Sequence, residues 1–433
     1  MRSIDYSKLP LRTIFCIDVK SFFASVEAVR RGLDPLQAYI VVVSGLNRPG
    51  GIVLASSPKM KSVFKIQTGN RKFEIPHDPR ILIVPPSMDV YLQKNREINA
   101  IFSKYAATED ILTYSIDESL LDLTATLHLF GDPMTTAIQI RDTIKADLDL
   151  SVTIGIGDNP LLAKLALDNA SKTQESQIAY WSYENIPETV WKIPKLRSVW
   201  GISRGWEKRL NQIGIYSVFD LAHADPKRLE AKFGIMGLQQ YYHANGVDYS
   251  RISERVEHKS KSYSKGQVLM HDYDAKDEIL IIIREMVDDV AARLRRYNVL
   301  CSVANLGIVV GKGYSDGFGI DCRLGRPTNL SYELNHVFID MFLSRWSGSP
   351  VRQIYISCTL AKGNAEDFQA GLFTAQYDLR CARLDRTLDE IHERFGKTSI
   401  FRATALLPAS TYFLRSGYVG GHQGYAEVPS AMA

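Results

Sequence analysis

A chain of 433 residues exceeds what one hydrophobic core usually organises, so two to four domains are expected. Its net charge of +4 permits nucleic acid binding without arguing for it, and its five scattered cysteines, with no CxxC pair, argue against a zinc site and for reduced thiols. No apolar run is long enough to span a bilayer and the N-terminus lacks a signal peptide's apolar core, so a cytoplasmic protein with no membrane partner is expected.

Residues 14–17 form a short apolar run that stops at Asp18, a strand with a carboxylate at its polar end. Residues 32–77 make an insertion with Gly45, Pro49-Gly50-Gly51 and several lysines, Lys61 among them. A second apolar run over 111–116 ends in Asp117-Glu118, and Leu120, Leu121 and Leu123 follow as a returning strand, which places the acidic pair at a hairpin turn. Residues 151–157 are a third apolar strand, expected beside the other two, followed by a helix and then Lys172.

Between 191 and 256 the texture is compact and helical. Residues 196–203, a helix over 204–211 and Gly214-Ile215 read as a helix-hairpin-helix unit, whose backbone N–H groups suit a DNA phosphate. Next come a strand over 264–270 and a helix over 275–297, with Ile279, Ile282, Met286, Val290 and Leu294 at helical spacing. Strands near 303–310 and 318–324, a helix over 331–342 and a strand over 351–360 complete a βαββαβ order of ferredoxin-like type. Beyond 361 the composition loosens. One further helix over 381–395 carries Leu384, Leu388, Ile391 and Phe395 on one face, as a partner surface or a packed tail helix, and the last twenty or so residues are expected to be unstructured.

The chemistry lies in the acids. If the first two strands are neighbours, Asp18, Asp117 and Glu118 converge into like charges that need raised pKa values or a cation. Hard divalent ions with oxygen ligands are the natural occupants, and two of them about 3.5 to 4 Å apart can activate an attacking oxygen and stabilise a leaving one. Taken singly, each acid is also an ordinary solvated turn residue.

The acidic stretches 15–27 and 114–121 resemble the two catalytic motifs of the Y-family, the translesion DNA polymerases, in its UmuC-like bacterial branch, and the likeness runs to about Leu407. The resemblance implies an α+β multidomain right-hand polymerase. Its parts would be a ferredoxin-like palm over 11–31 and 78–190, small fingers over 32–77, a helix-hairpin-helix thumb over 191–256, a βαββαβ little finger over 257–361 and a tail over 362–433.

Asp18, the Val19 carbonyl, Asp117 and Glu118 would hold two Mg²⁺ ions. Phe23 would be the steric gate against a ribose 2′-OH, with Phe22 beside it turned to the core, and Lys61 and Lys172 would meet the triphosphate, Lys164 being a structural partner. Gly201 and Ser203 of the hairpin would touch DNA, as would Arg293, Arg295 and Arg296 at the end of the long helix, although a basic helix end also suits its own dipole. Gln369, Leu372 and Phe373 resemble a sliding-clamp peptide, with Ala370 where relatives commonly have Leu. Lys20 stands where some relatives carry another acid, and Trp200 where other branches carry Pro.

The implied activity is error-prone, template-directed joining of a dNTP to a primer 3′-OH on primer-template DNA, in damage tolerance. A sliding clamp and accessory subunits would be partners. A non-catalytic DNA-binding scaffold of the same fold and a nucleotidyl cyclase are the alternatives, and the retained carboxylates and the helix-hairpin-helix weigh against them respectively.

Overall fold

Strand β1 (Ile14–Val19) reads as a continuous apolar run because both of its faces are covered. It is the middle strand of a five-stranded sheet with β5 (Ile111–Thr113) and β6 (Glu118–Asp122) on one side and β7 (Val152–Gly157) and β8 (Ile178–Trp181) on the other, in the order β5-β6-β1-β7-β8. Every pairing is antiparallel except β7 with β8. The third apolar strand expected from the sequence thus lies directly against the first. A computed structural model supplies these coordinates and describes residues 4–46, 50–254, 261–362 and 375–425.

The pleat sorts the side chains. Phe15, Ile17 and Val19 join Leu121, Val152 and Ile154 on one face, packed against α3 (Met88–Phe102) and α4 (Pro133–Leu148) through Tyr91, Ile98, Phe102, Ile140 and Ile144. Ile14, Cys16 and Leu120 take the other face, against Ala163 and Leu167 of α5 (Pro160–Asn169). By the same alternation Asp18 and its cross-strand partner Glu118 fall on the α5 face. Two glycines let α5 come close. A Cβ at Gly155 would stand 2.1 Å from the Ala163 carbonyl oxygen, and one at Gly157 2.3 Å from the Ala163 nitrogen.

Helix α1 (Phe22–Val29) follows β1 through Ser21, whose left-handed φ of 49° turns the chain sharply. The insertion builds its own sheet from β2 (Ile40–Ser44), β3 (Ile52–Ser56) and β4 (Leu82–Val84), ordered β3-β2-β4, so its third strand comes from beyond residue 77, where the sequence reading ended it. Within it α2 (Pro58–Val63) starts on a Ser57 side-chain cap with Pro58 in its first turn.

Helices α6 (Arg204–Asn211), α7 (Val218–Ala222), α8 (Pro226–Phe233) and α9 (Ile235–Ala244) close a further core around Leu196, Ile202, Leu210, Ile215, Val218 and Leu229. The helix expected over 204–211 has those bounds, and only a 3₁₀ turn, Leu196–Ser198, precedes the hairpin. All these elements belong to one compact unit, running to Arg255 and taking in the chain from Val419 onward.

The second unit, Val256–Tyr418, holds β9 (Ser262–Tyr273), α10 (Lys276–Arg296), β10 (Cys301–Val310), β11 (Phe318–Thr328), α11 (Ser331–Arg345) and β12 (Val351–Leu360). The βαββαβ order is as expected, in a sheet ordered β11-β10-β12-β9 with both helices on one face around Ile282, Met286, Leu306, Phe338 and Ile356. The unit continues past residue 361, where the sequence reading closed it.

Helix α12 (Ala375–Phe395) docks onto the unit by charge. Its buried residues are Asp378 and Asp385, while Leu384 and Phe395 of the expected apolar face are exposed. Asp385 accepts from Arg295 at 3.2 Å and from the Ser331 backbone N–H at 2.9 Å. It therefore caps the first turn of α11 from outside, since Leu330 at the N-cap has no side chain that can. Arg295 also forms a two-pronged pair with Asp389, at 2.6 and 3.0 Å.

That arrangement corrects one expectation: Arg295, read as a phosphate contact, is nearly buried with its donors spent on Asp385, Asp389, Ser331 and the Asn329 carbonyl. Arg293 donates to the Ser264 carbonyl, and Arg296 is exposed. Gln369, Leu372 and Phe373 lie outside the described residues. Among the described residues no helix is long and apolar enough to cross a membrane.

Candidate active site

The site forms where three strand ends meet. Asp18 and Glu118 are paired across β1 and β6, the Val19 N–H donates across to the Asp117 carbonyl at 2.9 Å, and the Tyr114 N–H closes the turn before β6 on the Glu118 carbonyl at 2.9 Å. Asp117, Glu118 and Val19 are thereby gathered around Asp18, from positions about a hundred residues apart in sequence.

Each carboxylate has its own local partner. The Ser115 hydroxyl donates to Asp117 at 2.6 Å. Lys164 reaches Glu118 from α5 at 2.7 Å, and the Cys16 thiol touches the other Glu118 oxygen at 3.4 Å. Asp18 has a single cation, Lys172 at 3.7 Å, and no hydrogen-bond donor within bonding distance among the described residues. Its pKa is pushed up to about 6, chiefly by burial and then by Asp117 and Glu118, with Lys172 pulling the other way.

The lysines close the far side. Lys61, on α2, donates to the Ser21 hydroxyl at 2.8 Å. Burial lowers its pKa, and the Asp18 charge opposes that. Lys172 is also desolvated, yet Asp18 and Asp168 outweigh the loss and raise its pKa. Lys164 likewise stays charged, since burial is outweighed by Glu118, Asp168 and Cys16.

Phe22 is buried in the core, and Phe23, half-buried, packs against the edge of that core. The Phe23 ring stacks on Tyr91 with centroids 4.3 Å apart and planes 13° apart. Tyr91 donates its hydroxyl to Glu27 at 2.8 Å, and Glu27 is fully buried and paired with Arg30 and Arg31. At the hairpin Gly201 has φ +90°, and the Ser203 side chain caps α6 by accepting from the Trp206 N–H at 3.4 Å.

Sequence reasoning brought Asp18, Val19, Asp117, Glu118, Lys61 and Lys172 together, and the structure gathers those residues. It did not find Ser21, Tyr91, Glu27 or Asp168. The only sequence signal for Asp168 was its spacing, four residues after Lys164 and four before Lys172.

As these side chains stand, no three His, Cys, Asp or Glu groups among the described residues are close enough together to hold a metal ion. The donor set fits Mg²⁺, being all hard oxygen, with one partly buried carboxylate, Asp18, that lacks a full complement of donors.

The profile of the impB/mucB/samB family matches residues 17–168, and that of its C-terminal domain matches 260–371, together more than half of the chain. The chain belongs to the Y-family of DNA polymerases. Within this Y-family chain the first match spans Asp18, Lys61, Asp117, Glu118, Lys164 and Asp168. It is 39% identical over 97% of its length to the whole of UvrX from Bacillus subtilis (strain 168), provisionally named a UV-damage repair protein. It is 32% identical, over 95% of its length and 98% of the relative's, to DNA polymerase IV 2 of the same organism. Its fold matches a Y-family DNA polymerase chimera of Dbh and Dpo4 with a TM-score of 0.64, over 80% of this chain and 98% of that one, at 20% identity.

Proposed function

We propose that this Y-family chain is a template-directed DNA polymerase of the translesion type, joining a dNTP to a primer 3′-OH. The observation that carries the reading is the cross-strand pair Asp18 and Glu118 with Asp117 at the adjoining turn, faced by Lys172 and Lys61. Asp18, Asp117, Glu118 and the Val19 carbonyl would hold two Mg²⁺ ions, which supply charge neutralisation and an acidified primer hydroxyl.

The chain's own residues then do the positioning. Lys61 and Lys172 bind the triphosphate as point charges. Phe23, braced by Tyr91, lies against the sugar and excludes a ribose 2′-OH. The primer oxygen attacks the α-phosphorus and pyrophosphate leaves in line, so catalysis is mostly orientation and charge stabilisation. A fingers sheet of only three short strands leaves room over the nascent pair, in keeping with damaged templates. Gly201 and Ser203 at the thumb hairpin, with Arg293 and Arg296 in the second unit, are the DNA contacts we retain. A sliding clamp and accessory subunits complete the assembly.

Primer extension tests the reading. Asp117→Ala or Glu118→Ala should abolish incorporation on undamaged and lesion-bearing templates while primer-template binding persists, and near-normal extension by either variant would remove the assignment. A wild-type chain that binds DNA but never extends a primer would establish the scaffold alternative. Phe23→Ala should admit ribonucleotides.

A further inference from the structure

Asp168 takes no part in the chemistry above, yet each of its carboxylate oxygens holds a lysine that also serves a proposed metal ligand. Oδ2 accepts from Lys164 at 3.0 Å, and that same ammonium donates to Glu118 at 2.7 Å. Oδ1 accepts from Lys172 at 2.9 Å, and that ammonium stands 3.7 Å from Asp18. The three residues are four apart along the end of α5 and the turn after it, so they share one face.

The helix end alone does not explain the placement. A carboxylate in the last turn of a helix opposes the helix dipole, so Asp168 costs α5 a little stability where it stands. Its value lies across the sheet. Gly155 and Gly157 bring the α5 backbone against β7, within reach of the strand ends that carry Asp18 and Glu118. Without Asp168, two buried or half-buried ammonium groups would face those acids with no other anion among the described residues to share them.

We propose that Asp168 is a positioning residue that keeps two lysines from capturing the catalytic carboxylates, sharing Lys164 with Glu118 and drawing Lys172 away from Asp18, so that both acids stay available to divalent cations. The inference rests on the metal-site reading above. In an Asp168→Asn protein Lys172 closes on Asp18 and Lys164 leans wholly on Glu118, and both movements compete with the metal.

The test is Mn²⁺ binding to the full-length protein, read as free Mn²⁺ by electron paramagnetic resonance, with circular dichroism and melting curves as folding controls. Asp168→Asn should weaken binding roughly ten-fold, within the range typical of residues that support metal ligands. Adding Lys172→Ala to that variant should recover several-fold of the loss, whereas a merely structural role for Asp168 would leave the double variant no better than the single one. Asp168→Glu, which keeps the charge, should stay within about three-fold of wild type. Unchanged binding in folded Asp168→Asn, or no recovery in the double variant, overturns the proposal. If Asp168→Asn does not fold, Lys172→Ala alone decides: tighter Mn²⁺ binding supports the competition and unchanged binding refutes it. A wild-type protein that binds no Mn²⁺ at all instead overturns the metal-site reading beneath it.

Discussion

Two clusters of aspartates and basic residues, one in each unit, use the same chemistry to opposite ends. In the second unit Asp385 is met by Arg295 and by the Ser331 N–H at the start of α11, and Asp389 takes the remaining fork of the guanidinium. Every charge there has a near partner, and the result is a docked helix. In the first unit Asp18 is mostly desolvated, has one lysine at 3.7 Å, and is crowded by Asp117 and Glu118. The lesson is that a closed ion network reports architecture, whereas an acid left short of donors beside other acids is where the cation chemistry proposed above would act.

The comparison can be broken most sharply at Glu118. Glu118→Gln keeps the shape and the Lys164 contact but removes charge, and should cut single-nucleotide incorporation by at least ~10³-fold while the melting temperature moves little. In the second unit the converse holds. Asp385→Ala removes one of the two carboxylates on Arg295 and the acceptor of the Ser331 N–H, and should destabilise that unit by about 1–3 kcal/mol, measured as a shift in its denaturant midpoint.

A third test separates the two clusters by pH. Asp18 has a folded-state pKa of about 6, above its unfolded value, so the folded protein binds the extra proton and stability falls as pH rises through that window. In metal-free buffer Asp18→Asn should therefore stabilise the protein above pH 6 by up to about 3 kcal/mol, the gain shrinking towards zero near pH 4. Saturating Mg²⁺ should reverse the order by stabilising wild type alone. The smallest effect is expected at Arg296, exposed at the end of α10: Arg296→Ala should weaken primer-template binding less than about five-fold and lower its salt slope by about 1.

The helices and strands with strong apolar periodicities were legible, whereas the β3-β2-β4 sheet and β8 were not. The helix over 204–211 and the final strand over 351–360 have the expected bounds, and α10, at Lys276–Arg296, differs by one residue at each end. The acids were legible because an apolar run that ends in Asp or Asp-Glu can only present them at a strand end.

Arg295 was misread for an instructive reason. Its helix ends in Arg293, Arg295 and Arg296, a pattern that suits a phosphate or a dipole equally, and the acids that claim it come 90 and 94 residues later. Helix α12 packs as a tail helix, one of the two readings of its sequence, but through its aspartates rather than its apolar spacing, and those aspartates are explained only by what they dock against.

Strand pairing by two-residue alternation put Asp18 and Glu118 on one face, and that much follows from local order alone once the strands are neighbours. Which cation serves which acid does not follow. Lys164 meets Glu118 across 46 positions because two glycines on β7 admit the α5 backbone, a contact decided by packing at close range. Backbone periodicity is a property of neighbouring residues and can be read along the chain, while charge pairing is decided by side chains that meet only after the sheet and its helices have closed on one another.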